Sequence, residues 1–235
     1  MFMKRFLCVV LCACLLAGFA ACGPKPAGGD LDVIPPAFIT LDEARAMAED
    51  FVFYSEQWWV WARPDYIFAY HGGLILRYDI AKNDIDRAVD IGYAAGSYRE
   101  PSFSADGQAC VTWQSVGIDS KPVPGQRYVI DFTEQTIVPT DWEAYPPNYD
   151  TGCRVEDRYH PKTPGYDFYG KDGSITEITL LQKEDLGWHG VIDEARIGAL
   201  MPADPDNPGA MGDYKFVVID VASDTIAQEC AIYQK

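Results

Sequence analysis

From residue 58 onward, apolar and polar positions alternate in short runs broken by turn residues. "WWVWA" (58–62), "YIFAYH" (66–71), "LILRYDI" (74–80) and "DRAVDI" (86–91) read as four strands. Pro64-Asp65, Gly72-Gly73 and Lys82-Asn83-Asp84 separate them, which predicts an antiparallel meander. A second set follows in "REPSF" (99–103), "QACVTW" (108–113), "RYVIDF" (127–132) and "TIVPT" (136–140). "YDFYGKDGSITEITLL" (166–181), "YKFVVIDV" (214–221) and "IAQECAIY" (226–233) continue the theme. One segment has a different period. In "TLDEARAMAEDF", Leu41, Ala44, Met47 and Phe51 recur at helical spacing, with Thr40 as N-cap and acids in the first turn.

The strands carry a longer repeat. Asp79, Asp131 and Asp220 each end an apolar run just before a turn and a short outgoing strand, with Leu180 as the weakest member. The steps are 52, 49 and 40 residues. A propeller blade occupies about 40–50 residues. The predicted fold is therefore mostly β: a propeller-like array of about four antiparallel blades with one short N-terminal helix. An irregular β-meander or sandwich is the alternative.

Phe103-Ser104-Ala105-Asp106-Gly107 followed by "QACVTW" resembles the repeat of TolB-like β-propellers. In that family an aromatic-Ser-x-Asp-Gly turn joins the first two strands of a blade. "LILRYDIAKNDIDRAVDI" resembles the third and fourth strands of such a blade, and Tyr169-Gly170-Lys171-Asp172-Gly173 is a degraded second copy of the turn without the serine. The resemblance covers residues 57 to 140 and is weak over 141 to 213. The family usually has six or more blades, so four would make an incomplete or irregular ring.

The first 21 residues have a targeting pattern. Lys4 and Arg5 form a basic start, Phe6 to Ala21 is apolar, and Cys22 follows Ala20-Ala21. "FAAC" resembles the lipobox of bacterial lipoproteins, in which the cysteine is acylated and becomes the mature N-terminus; the residue three before it is usually Leu and here is Phe19. Two acyl chains anchor a protein firmly where one is marginal. An uncleaved anchor helix is the alternative. Residues 22–37, rich in Pro and Gly, read as the acylated N-terminus and a flexible tether, and 38–235 as a single mostly-β domain.

Charge narrows the partners. The formal charge is −16; without residues 1–21 the 19 basic residues fall to 17 against 35 acidic ones, giving −18. Such a surface argues against nucleic acid. Of seven cysteines, Cys8, Cys12 and Cys14 leave with the signal and Cys22 is acylated. Cys110, Cys153 and Cys230 remain, without metal spacing; they read as small buried hydrophobes with one disulfide open to them.

Candidate chemistry is sparse. Asp106 serves the turn by accepting backbone N–H groups while Gly107 takes positive φ. "PADPDNPGAMGD" (202–213) is oxygen-rich but lacks the spacing of a calcium loop. His71, His160 and His189 have no G-x-S-x-G nucleophile to serve. Trp59 and Trp61 fall on one strand face and Trp58 on the other, more as core than as ligand face. Trp142, Tyr145 and Trp188 are the aromatics expected to meet a ligand. The expected function is a membrane-anchored envelope lipoprotein that binds or scaffolds a protein or glycan without catalysis, with no cofactor, metal or nucleic acid. A carboxylate-dependent envelope hydrolase is the alternative, which would show at least two acids and a perturbed histidine in one deep pocket.

Overall fold

The computed structural model describes residues 35–49, 59–91, 97–104, 107–115, 127–140, 149–158, 165–181, 188–203 and 214–232. The chain divides into Met1–Val33 and Ile34–Lys235, and every described residue belongs to the second unit. Cys22 and the predicted signal lie outside the described residues. Among those described, no helix is long and apolar enough to cross a membrane.

Four antiparallel sheets make up the described fold. Sheet 1 contains β1 (Ala37–Ile39), β2 (Trp59–Ala62), β3 (Tyr66–His71), β4 (Leu74–Asp79) and β5 (Asp84–Asp90), in the order β1-β5-β4-β3-β2. Sheet 2 runs β6 (Ser97–Phe103), β7 (Ala109–Ser115), β8 (Arg127–Asp131) and β9 (Thr136–Thr140) in sequence order. Sheet 3 is β10 (Arg154–Arg158), β11 (Gly165–Tyr169) and β12 (Ile175–Ile178). Sheet 4 is β13 (His189–Val191), β14 (Arg196–Pro202), β15 (Tyr214–Asp220) and β16 (Thr225–Ala231). The one described helix, α1 (Leu41–Glu49), starts at Thr40 with a reciprocal cap. Thr40 Oγ1 accepts the Glu43 N–H at 3.2 Å, and the Glu43 carboxylate accepts the Thr40 N–H at 2.8 Å.

The mostly-β expectation and its four antiparallel groups are what the structure shows. The strand β1 begins at Ala37, the last residue of the stretch expected to be tether: Ala37 to Ile39 pair with Asp90 to Ala88 and close the outer side of sheet 1.

Period-two alternation explains how the sheets stack. In β3, Ile67 and Ala69 point one way and Phe68 the other; in β15, Phe216 and Val218 oppose Val217 and Ile219. Both faces of these strands are buried. Ile67, Leu76 and Tyr78 of sheet 1 meet Leu200, Phe216 and Val218 of sheet 4, with the Tyr78 and Phe216 rings stacked at 5.4 Å. Sheet 1 packs its opposite face, Phe68, Ile75 and Val89, against Phe103, Tyr128 and Phe132 of sheet 2. Sheet 4 packs its other face on Phe168 and Ile178 of sheet 3. The stacking order is thus 2–1–4–3. Each of these large side chains contributes about 1.5–3 kcal/mol by leaving water.

The repeated aspartates are turn caps. Asp79 accepts the N–H of Lys82 at 3.1 Å, Asp131 those of Thr133 and Glu134 at 2.9 Å, and Asp220 that of Ser223 at 2.8 Å. Sheet 3, whose repeat position is Leu180, takes its cap from a neighbour: Asp224 of the β15–β16 turn accepts the Thr179 N–H at 2.8 Å and the Leu180 N–H at 3.4 Å. The two Gly turns share one geometry. Ser104 N–H bonds to Gln108 O and Gly107 N–H to Ser104 O; Gly170 N–H bonds to Ser174 O and Gly173 N–H to Gly170 O. Gly107 has φ +83° and Gly173 φ +82°. The first turn joins strands one and two of its sheet. The second joins strands two and three, a change from the expected blade register.

Candidate functional site

Three strands lie at an edge of their sheets and converge: β2, β10 and β13. Their approach needs a residue without a side chain. A Cβ on Gly190 would sit 2.9 Å from the backbone nitrogen of Ala62, so only glycine lets β13 touch β2. Between the three strands is an open cleft of about 300 Å³. That volume is at the lower end of the about 300–1,000 Å³ of small-molecule sites. Trp61, Arg63, Tyr149, Asp150, Cys153 and His189 are among its lining residues.

Arg63 directly follows β2 and is 6 % exposed. Its Nε donates to Ser104 O at 2.7 Å, Nη1 to Ala62 O at 2.7 Å and Nη2 to Phe103 O at 2.6 Å. The guanidinium lies 5.1 Å from the centre of the Tyr149 ring. Burial pulls its pKa down to about 10, partly offset by Tyr149, so it stays a cation at neutral pH. Among the described residues no carboxylate pairs with it. Arg77 is the contrast: it is equally buried, but its Nε and Nη2 hold both oxygens of Asp86 at 2.8 Å. Burial raises the Asp86 carboxyl, and the bonds and charge of Arg77 and Lys82 outweigh it, leaving a net lowering.

Tyr149 is fixed from the other wall, donating its hydroxyl to Ile192 O at 3.1 Å. Burial, then the charge of Asp193, raises its pKa. The segment 149–153 is held by its own short bonds: Asp150 accepts the Gly152 N–H at 2.7 Å, and Thr151 Oγ1 accepts the Cys153 N–H at 3.1 Å. His189 packs edge-on against Tyr166 at 4.9 Å. Its Nδ1 is buried without a hydrogen-bond partner among the described residues. Burial pushes its pKa down to about 4 against a small opposing pull from Asp157, so the imidazole is neutral at pH 7. On the rim, Trp59 is 57 % exposed and stacks on Trp61 at 6.5 Å. This is the shared strand face expected for the two rings.

Trp142 and Tyr145 lie outside the described residues, as do Asp106, His160 and the Asp-rich stretch 204–213. Trp188 is half-buried: its ring meets Tyr214 edge-on at 5.3 Å, against the core between sheets 1 and 4. His71 is buried in β3, away from the cleft lining. Cys153 and Cys230 are free thiols, and burial raises the Cys230 thiol. No group of three metal-ligating side chains occurs among the described residues. Sequence reasoning left Arg63 unremarked, did not select Tyr149 as a site residue and gave His189 no role. The available signal was a cation placed directly after an aromatic strand in an acidic chain.

No family model matches the chain, and no curated protein matches it. Among solved structures, the hydrazine synthase of Kuenenia stuttgartiensis is similar at 12 % identity over 76 % of this chain, with a TM-score of 0.25. This chain spans 50 % of that one. A likeness at that level carries no argument about function.

Proposed function

We propose that this is an envelope lipoprotein, acylated at Cys22, whose β domain is a non-catalytic binding module. The observation that carries the binding reading is the cleft where β2, β10 and β13 meet. It offers a fixed cation, a neutral imidazole and aromatic walls, the mixture of apolar surface and few polar groups that small-ligand sites use. Its described lining contributes one carboxylate, Asp150, and that group bonds to its own turn. Two-carboxylate hydrolysis needs a facing pair about 5–9 Å apart. Its size suits the end of a glycan or a single peptide side chain better than an extended protein surface. Sheets stacked face to face with edge strands at a common cleft also support a propeller-like reading of the array. Attachment to a membrane is supported by the basic start, the apolar run and the cysteine.

The test is capture from envelope extract by the full-length chain, with a glycan panel run beside it. Retention of a glycan or a protein, recovered chemically unchanged, is the expected result. Release of cleaved product would replace the binding reading with the hydrolase one.

A further inference from the structure

Arg63 has donors to spare. A guanidinium carries five N–H groups, and the three bonds to Ser104, Ala62 and Phe103 use three of them. One hydrogen on each Nη is unspent. The three carbonyls and the Tyr149 ring fix the plane of the group, so a bidentate partner would meet a fork already in place. A buried cation without a counter-charge is costly, and an anion that pairs with it relieves that cost. Arg77 spends its Nε and Nη2 edge on Asp86; on Arg63 that edge is taken by Ser104 O and Phe103 O, which leaves an incoming anion the remaining hydrogens on Nη1 and Nη2.

The rest of the cleft narrows the class. His189 lines the same space with its imidazole, a group able to pair with a hydroxyl. Trp61 and Tyr149 supply ring faces, and Trp59 extends them to the rim. Flat aromatic surface beside hydroxyl-bonding groups fits a sugar ring, and a planar fork fits a carboxylate better than a tetrahedral anion of the same charge. The net charge of −16 does not oppose this at short range, because exposed charges are screened beyond about 8 Å at physiological ionic strength.

We infer that the cleft takes a uronate, a sugar ring bearing a carboxylate, with the carboxylate on the Arg63 fork and the ring between Trp61 and Tyr149. This rests on the cleft being the binding site of the proposed module. Free uronate and the uronate end of an acidic glycan share this chemistry.

The test is calorimetry on the purified full-length chain in detergent, with glucuronate, glucose and a glucuronate-terminated oligosaccharide as probes. Glucuronate should bind tighter than glucose by about tenfold or more, the scale of one charge-assisted pair. A tighter oligosaccharide would identify a glycan end as the source; equal affinities would identify the free sugar acid. Arg63→Lys, which keeps the charge and loses the fork, should bring glucuronate close to glucose. Because Arg63 also ties β2 to the turn at Ser104, a second readout uses the unaltered chain: the NMR signals of its side-chain N–H groups should shift as glucuronate saturates. Equal binding of glucuronate and glucose, or unmoved Arg63 signals at saturation, would overturn the inference and leave the binding module standing. Failure of every probe to bind would also overturn the inference, while the binding module would still be decided by the capture experiment. Cleavage of the oligosaccharide would end the non-catalytic reading while leaving the carboxylate site in place.

Discussion

His189 makes stability depend on pH in a defined window. In the unfolded chain its imidazole has the ordinary pKa of 6.5; in the fold, burial holds it at about 4. Between these values the unfolded state takes up a proton that the folded state refuses. Protonation therefore favours unfolding: the stability is fully present above pH 6.5, falls as the pH drops, and levels off near 4. At about 1.4 kcal/mol per pH unit the gap amounts to about 3 kcal/mol, a large share of a domain's usual margin. The assay is urea unfolding at a series of pH values, comparing the unaltered chain with His189→Gln, which is always neutral. The unaltered chain should lose about 3 kcal/mol across the window, and the variant should lose markedly less. Asp86, Asp172, Asp193 and Asp220, all lowered in the fold, give up their stabilisation as pH falls through values below their ordinary 3.8, outside this window, and the exposed Glu43 does so below its ordinary 4.5, at the lower edge; both proteins share these losses. Identical slopes for the two proteins would refute the assignment.

Further expectations follow from individual contacts. Cys22→Ala should move the protein from the membrane fraction to the soluble one; retention on the membrane would defeat the acylation reading. Gly107→Ala and Gly173→Ala should each cost about 1–2 kcal/mol in thermal unfolding, because both need positive φ while their Cβ positions meet nothing closer than 3.5 Å. An unchanged melting temperature in both would contradict this. Asp86→Asn should cost about 3–5 kcal/mol by leaving Arg77 buried without its counter-charge, measured by denaturant midpoint; a loss below about 1 kcal/mol would show that water reaches the pair. Gly190→Ala should lower both stability and glucuronate binding, since a Cβ there pushes β13 off the backbone of β2.

Much of the fold was legible because its signals are local. The short apolar runs of 66–71 and 74–80 and the Gly72-Gly73 turn became β3, β4 and their hairpin within a residue. The period of aspartates marked real turn caps at Asp79, Asp131 and Asp220. Where both faces are covered, alternation disappears. The strand β14 reads "RIGALMP", is buried at six of its seven positions, and carries no period-two signal. The short β1 sits behind Pro35-Pro36, whose composition reads as linker, and pairing with β5 decides its state. The site was less legible still. Arg63, Tyr149 and His189 come from three distant segments, and only the convergence of three sheet edges puts them in one cleft. Trp188 stood out by residue type, yet its ring lies against Tyr214 and the core.

Sheet 3 has three described strands, packs on sheet 4 through one cluster, and borrows its cap from Asp224. Its local opening free energy should therefore be the lowest of the four sheets, and amide exchange should be fastest in β10 to β12. Because β10 is also a wall of the cleft, such breathing would double as an entrance: a bulky ligand could reach Arg63 by transient loosening of one sheet while the other three hold their register. The rate of ligand entry would then track the opening of sheet 3, and strengthening the Asp224 tether would slow association before it changed affinity.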